Sequence, residues 1–261
     1  MQPFTNRAEL VLGLRQIALE AGATIMRVYE AGSEVRLKAD ASPVTDADEQ
    51  ASRVILGRLP SLAPGVPVVC EETEEAERPA AGASGDFFLV DPLDGTKEFI
   101  SKNGEFTVNV ALVHDGRTVA GVVYAPAIRR LFLGWRGEDG AGYAFQERDG
   151  GPRTAIHVAR PSEEGVVVVA SRSHRDPKTD EYLANVRVKS FTSAGSSLKL
   201  CLVATGEADL YPRLGRTMEW DIAAGQAVLE AAGGTVSRLD GAALLYGKPG
   251  LENPHFVARG G

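Results

Sequence analysis

Cysteine is scarce, with two in 261 residues. Cys70 and Cys201 lie far apart and outside any CxxC or Cys/His spacing, which argues against a disulfide framework or a zinc site and for reduced thiols in a cytoplasmic protein. No apolar segment reaches the roughly 18 residues needed to cross a bilayer. The opening stretch MQPFTNRAEL has no basic region followed by an apolar one, so it does not read as a secretory signal. The expected location is the cytoplasm, with the inner membrane face as the alternative. Positive charge is also short: 28 Lys and Arg against 35 Asp and Glu leave a net charge of -7. That balance argues against a nucleic-acid polymer as partner, since facing a phosphate backbone takes many cations. One small phosphorylated ligand remains compatible, because bound divalent ions reverse the local field. Internal repeats and low-complexity tracts are absent.

What is present is an ordinary globular composition, 44% hydrophobic and 24% charged, at a length that suits one domain or two closely joined ones. From about Thr5 to Tyr29, apolar residues at Leu10, Leu14, Ile17, Ala21, Ile25 and Val28 have helical spacing. A second helix is expected from near Thr45, burying Ala51, Val54, Ile55 and Leu59. Strand-like runs follow: VPVVC, FFLV, FTVNVALV, TVAGVVYA, RLFLGW and GVVVVAS, with HDGRT as a hairpin signal. Farther on, SSLKLCLVATG and WDIAAGQAVLEAAGG read as helices with ADLYP as a strand between them. This order predicts layered α and β structure with a seam between Gly150 and Gly165, dividing the chain into residues 1–158 and 159–261.

Four acidic segments stand out: PVTDADEQAS with Asp46 and Asp48, CEETEE with Glu71 and Glu72, DPLDGT with Asp91 and Asp94, and EWDIAAG with Glu219 and Asp221. Singly, each has an ordinary explanation. Thr45 with Asp48 fits a capping box, Asp221 fits an N-cap, EETEE fits a solvated loop, and Asp, Pro and Gly fit a turn. Together they differ, because Glu71 and Asp91 each end an apolar run where neighbouring strands converge, and gathered carboxylates repel one another. A divalent ion removes the repulsion. Hard oxygen ligands suit Mg²⁺, usually completed by water and substrate phosphate. Two carboxylates from one turn, with the Leu93 carbonyl, would suit a pair of ions about 3.5 to 4 Å apart, the spacing of phosphate-ester hydrolysis.

The segments EE, DPLDGT and WDIAAGQAVLEAAGG resemble the signature of the lithium-sensitive, magnesium-dependent phosphatases of the inositol monophosphatase superfamily. The longer matches DPLDGTKEFISKNGEFTVNVAL, ASRSH, GSSLK, ADLYPR and EWDIAAGQAVLEAAGG are similar to its 3'(2'),5'-bisphosphate nucleotidase branch. The resemblance implies an α/β (α+β) fold, a layered α/β/α/β/α sandwich, and two or three Mg²⁺ ions held by Glu71, Asp91, the Leu93 carbonyl, Asp94 and Asp221. It also implies that Glu71, Thr96 and Asp48 serve catalysis, with Thr96 orienting the attacking water. Substrate contacts would come from Asp94, Gly95, Thr96, His174, Ser196, Lys199, Arg213 and Asp221. The Lys199 and Arg213 pair suits a second phosphate. The substrate implied is adenosine 3',5'-bisphosphate, cleaved to AMP, with its sulfated analogue 3'-phosphoadenylyl sulfate beside it. The rival readings are an inositol, histidinol or sugar phosphate phosphatase and a non-catalytic metal- or nucleotide-binding protein.

Overall fold

The first helix starts where Asn6 accepts the Glu9 N–H at 3.1 Å, satisfying one of the donors that a helix N-terminus leaves free. The computed structural model describes residues 6–32, 35–37, 43–75, 84–170 and 177–261. Its first part runs α1 (Arg7–Ala31), β1 (Val35–Leu37), β2 (Pro43–Thr45), α2 (Asp46–Leu62), β3 (Val68–Cys70), β4 (Asp86–Asp94) and α3 (Thr96–Ile100). A meander follows through β5 (Thr107–His114), β6 (Arg117–Ala125), β7 (Arg130–Arg136), β8 (Gly142–Arg148) and β9 (Thr154–Ala155). The rest comprises β10 (Val166–Ala170), α4 (Pro177–Leu183), β11 (Val188–Ser193), α5 (Leu198–Ala204), β12 (Leu210–Arg213), α6 (Glu219–Ala231), β13 (Thr235–Arg238) and β14 (Phe256–Arg259).

Strands β3 to β9 form a seven-stranded sheet in sequence order, parallel only at β3–β4. The HDGRT signal becomes the β5–β6 hairpin, with Asp115 and Gly116 at φ 47° and 71°, the positive values a tight hairpin turn demands. The second sheet has the order β11-β10-β12-β14-β13. Its strands β10, β11 and β12 are parallel, whereas β14 runs antiparallel to β12 and β13.

Alternation along the strands decides the layers. Phe88 and Val90 of β4 point into a core with Leu14, Ile25 and Ile55 of α1 and α2, while Phe87 and Leu89 join Leu200, Ile222, Val228 and Phe256 on the other face. On the small sheet, Val168, Leu210 and Val257 face outward onto Leu183 of α4. The stack is therefore α1 and α2, large sheet, α5 and α6, small sheet, α4, the five-layer α/β/α/β/α sandwich expected. One apolar core runs through both sheets and the helices between them.

Helix α6 lies unusually close to the large sheet. A Cβ on Gly121, Gly134 or Gly142 would come within 2.6, 2.4 and 2.4 Å of α6 backbone at Ala224, Val228 and Ala231. These three glycines, on β6, β7 and β8, cut a groove that seats the helix and so fixes the height at which its first turn, with Asp221, enters the site.

Candidate active site

The DPLD stretch is not a turn. Strand β4 continues through it, and the pairing Asp91↔Asn109 followed by Asp94↔Thr107 puts one extra residue on β4, a β-bulge. Pro92 sits inside the bulge, where a missing ladder donor is tolerated. Sequence spacing sees only Asp, Pro and Gly, which a turn and a bulge share. The consequence is chemical, since the bulge re-aims Asp94 relative to Asp91 while both stay anchored to β5. Gly95 then takes φ 92°, and a Cβ there would stand 2.2 Å from the Ser196 Oγ. Only glycine combines that backbone with that close approach.

Each remaining acidic residue arrives on its own element. The Glu71 N–H donates to the Val90 carbonyl at 3.1 Å, extending the β3–β4 pairing by one step and setting Glu71 beside Asp91. The capping box expected at Thr45 forms: Asp48 Oδ2 accepts from the Thr45 N–H at 2.8 Å and its hydroxyl at 2.7 Å. The other oxygen, Oδ1, accepts from the Thr96 hydroxyl at 3.4 Å. Asp48 is thus both a helix cap and a partner of Thr96. Asp221, in the first turn of α6, accepts the Met218 N–H at 2.8 Å.

The carboxylates perturb one another. Burial first, then the charges of Glu71, Asp94, Asp221 and Glu72, hold Asp91 well above the ordinary carboxylate range. Asp221 is raised by burial and then by Asp94 and Glu71, against the pull of the Met218 N–H and Arg213. Enclosure by protein pushes Asp94 from 3.8 up to about 6, with Lys199 and the Ser197 N–H opposing and Glu71 and Glu98 adding to the rise. Asp94 and Asp221 nevertheless keep part of their surface open to a cavity of about 340 Å³.

These shifts carry a stability consequence for the metal-free chain. Between pH 3.8 and about 6 the folded Asp94 binds more protons than the unfolded one, so stability falls as pH rises through that window. Thermal melting in chelator is expected to drop from pH 4 to pH 7, and a divalent ion to reverse the drop at pH 7. A metal-free melting temperature that climbs across this interval would contradict the clustering of charge.

Asp94 and Asp221 line the cavity together with Gly95, Ser196, Lys199 and Arg213. Lys199 is buried, its Nζ donating to the Ala194 carbonyl at 3.2 Å. Burial lowers it from 10.5 to about 8, with Arg213 adding to the fall and Asp94, Glu98 and Glu105 resisting it. Arg213 donates through Nη2 to the Arg216 carbonyl at 3.0 Å, while its buried Nε has no partner among the described residues. Ser196, at φ 50°, donates to the carbonyls of Asp94 at 2.8 Å and Glu105 at 2.9 Å, so its hydroxyl ties the bulge to the start of α5. His174 lies outside the described residues.

Some site residues escaped the sequence. Ser197 donates its N–H to Asp94 Oδ2 at 2.7 Å and its hydroxyl to Asn109 Oδ1 at 2.6 Å, with Thr107 Oγ 2.9 Å away. Tyr211 and Thr217 also line the cavity, as do Lys97 and Glu98 of α3. A signal existed for Asn109, since an amide inside the apolar run FTVNVALV has to find a partner when both sheet faces are covered.

Among the described residues, no group of three or more His, Cys, Asp or Glu side chains is drawn together tightly enough to hold an ion as placed. The donor set still fits a hard divalent cation. Asp91 is 1% exposed, crowded by like charge, and forms no ion pair among the described residues, a condition that is relieved by protonation or by a cation. Carboxylate and carbonyl oxygens are the ligands such ions select.

Comparison with known proteins agrees with the fold. The Inositol monophosphatase family profile matches residues 6–258. The 3'(2'),5'-bisphosphate nucleotidase CysQ of Salmonella typhimurium is 45% identical over 249 residues, covering 92% of this chain and 96% of that one. The crystal structure of CysQ from Bacteroides thetaiotaomicron, a bacterial member of the inositol monophosphatase family, superposes with a TM-score of 0.78 at 36% identity over 96% of each chain. The inositol monophosphatase from Anabaena gives a TM-score of 0.74 at 26% identity, covering 98% of this chain and 92% of that one. With its acidic segments carried by α2, the end of β3, β4 and α6 of one five-layer sandwich and the family match spanning nearly the whole length, the chain belongs to the inositol monophosphatase family.

Proposed function

We propose that the chain is a Mg²⁺-dependent 3'(2'),5'-bisphosphate nucleotidase that removes the 3'-phosphate of adenosine 3',5'-bisphosphate, giving AMP and phosphate, and that it also accepts 3'-phosphoadenylyl sulfate. The observation that carries this reading is one cavity lined both by Asp94 and Asp221 and by Lys199 and Arg213. The carboxylates suit metal ions and a reacting phosphate. The two cations suit a second phosphate that does not react. The cavity volume of about 340 Å³ lies within the range of about 300–1,000 Å³ typical of small-molecule sites.

In this reading Glu71, Asp91, the Leu93 carbonyl, Asp94 and Asp221 would hold two or three Mg²⁺ ions, whose chemistry would be to activate a water and to neutralise charge on the phosphoryl group. The chain's own residues then position the parts. The Thr96 hydroxyl spends its proton on Asp48 Oδ1, which leaves its oxygen an acceptor able to orient a water. Glu71 helps to hold that water on the other side. Gly95, Ser196 and His174 flank the substrate, and Lys199 and Arg213 take the 5'-phosphate.

We place the enzyme in the cytoplasm on its two buried thiols, neither of them in a disulfide; no described helix is long and apolar enough to cross a membrane. The test is phosphate release from adenosine 3',5'-bisphosphate and from inositol 1-phosphate at equal enzyme and Mg²⁺, with Li⁺ and chelator arms. Faster release from the bisphosphate, inhibited by Li⁺, is expected. Preference for inositol 1-phosphate would make the chain an inositol phosphatase, and full activity in excess chelator would remove the metal mechanism.

A further inference from the structure

Four buried side-chain atoms among the described residues lack a hydrogen-bond partner: Asn109 Nδ2, Thr118 Oγ, Arg130 Nε and Arg213 Nε. The two arginines bond through other nitrogens, Arg130 to Glu207 and Arg213 to the Arg216 carbonyl. Asn109 is the one that stands among the carboxylates. It is fully buried on β5 and pairs directly across the ladder with Asp91. Both side chains point to the sheet face that carries Phe87, Leu89, Ala111 and Val113, the face toward α5 and α6. Directly opposed residues of an antiparallel pair have Cβ atoms about 4.5–5.5 Å apart.

The other half of the amide is fixed. Asn109 Oδ1 accepts the Ser197 hydroxyl at 2.6 Å, and the Ser197 N–H holds Asp94 Oδ2 at 2.7 Å. Asp91 meanwhile uses Oδ1 to accept the Leu93 N–H at 3.0 Å. With its oxygen committed to Ser197, Asn109 presents a bare N–H₂ group beside a carboxylate in a region closed to water. A donor left bare in such a place costs about 1 to 3 kcal/mol, and native interiors seldom keep one without a use.

We infer that Asn109 is a positioning residue for the metal site: its amide, oriented by Ser197, is the donor that steadies the Asp91 carboxylate when the acidic residues close on a divalent cation. The inference rests on the proposed metal-dependent reading. Groups that hydrogen-bond a metal's ligands characteristically tune affinity without touching the ion. Among the described residues the Asn109 Nδ2 has no partner, so the contact is expected to form as the carboxylates close on the ion.

The experiment titrates the metal-free chain with Mn²⁺, followed by the free-ion electron paramagnetic resonance signal, alongside thermal melting in chelator. Asn109→Leu is expected to weaken Mn²⁺ binding by about 10- to 100-fold while the metal-free melting temperature changes little, since leucine removes a bare buried donor and the Ser197 hydroxyl that loses its acceptor has Thr107 Oγ1 2.9 Å away. Asn109→Ala removes the amide without added bulk and should show the same loss of affinity even if leucine fails to fit. Ser197→Ala, which frees the amide but keeps the backbone N–H on Asp94, should lose affinity in the same direction and by less. Wild-type Mn²⁺ affinity in Asn109→Leu or Asn109→Ala would overturn the role of Asn109 alone. A wild-type chain that binds no Mn²⁺ would overturn the metal reading with it.

Discussion

Asp94→Asn is expected to abolish phosphate release while leaving the fold intact. Asparagine keeps an oxygen to accept the Ser197 N–H that Asp94 Oδ2 accepts at 2.7 Å, so the link between the bulge and α5 survives. What disappears is a negative charge in a place where burial already pushes the carboxyl up to about 6, with Glu71 and Glu98 pressing it further. Above that pH the folded chain holds a charge that the unfolded chain keeps more comfortably. Removing it therefore relieves the metal-free protein, and its melting temperature at pH 8 should equal or exceed that of the wild type. Catalysis moves the other way. In the proposed function the charge that strains the apo chain is the one that would hold a cation against the transferring phosphate, and losing it should cost several orders of magnitude in turnover. Near-normal turnover of the purified variant in saturating Mg²⁺ would sink the assignment of Asp94 as a ligand. A collapsed melting temperature would mean the carboxylate serves the fold.

What the sequence discloses and what it hides divide along local and non-local physics. Helix α1 is legible because the spacing of Leu10, Leu14, Ile17, Ala21 and Ile25 depends on nothing beyond the helix itself, and all five are buried. The Thr45–Asp48 capping box is legible for the same reason. The acidic segments announce themselves by residue type. The bulge does not, because it exists only in the register between β4 and β5, and register is a property of two strands. Strands β8 and β11 pass unnoticed, since GYAFQER and VKSFTS carry exposed polar positions and little apolar signal. The groove under α6 is hidden for a related reason: Gly121, Gly134 and Gly142 are far apart in the chain and align only once β6, β7 and β8 are side by side. The network through Ser197, Asn109 and Thr107 joins positions about ninety residues apart.

In the proposed function Lys199 and Arg213 decide which substrate the site serves, and their loss is expected to appear in KM. Both line the cavity that Asp94 and Asp221 also line, and in the proposed function they contact a phosphate that does not react, so their interaction energy is common to ground and transition states. A hydrogen bond to a charged group contributes about 1.5 to 3 kcal/mol, and about 1.4 kcal/mol is tenfold in affinity. Arg213→Ala is therefore expected to raise KM for adenosine 3',5'-bisphosphate roughly 10- to 100-fold with kcat nearly unchanged. Lys199→Ala should do the same. Truncating this buried lysine to alanine also removes its packing, so Lys199→Met, which keeps the apolar stem and drops only the ammonium that bonds the Ala194 carbonyl, serves as the control. A pH signature accompanies the lysine. Its pKa in the free chain is lowered to about 8 by burial, so above that pH the ammonium loses its proton and with it the charge-assisted hydrogen bond to phosphate. KM for the bisphosphate should climb there in the wild type and stay flat in Lys199→Met. Adenosine 3'-monophosphate lacks the 5'-phosphate and supplies the reference substrate, since its turnover should change little in any of these variants. Equal losses on both substrates would place Lys199 and Arg213 in support of the fold or the metal site, and the chain would revert to a phosphatase of this family with its substrate undetermined.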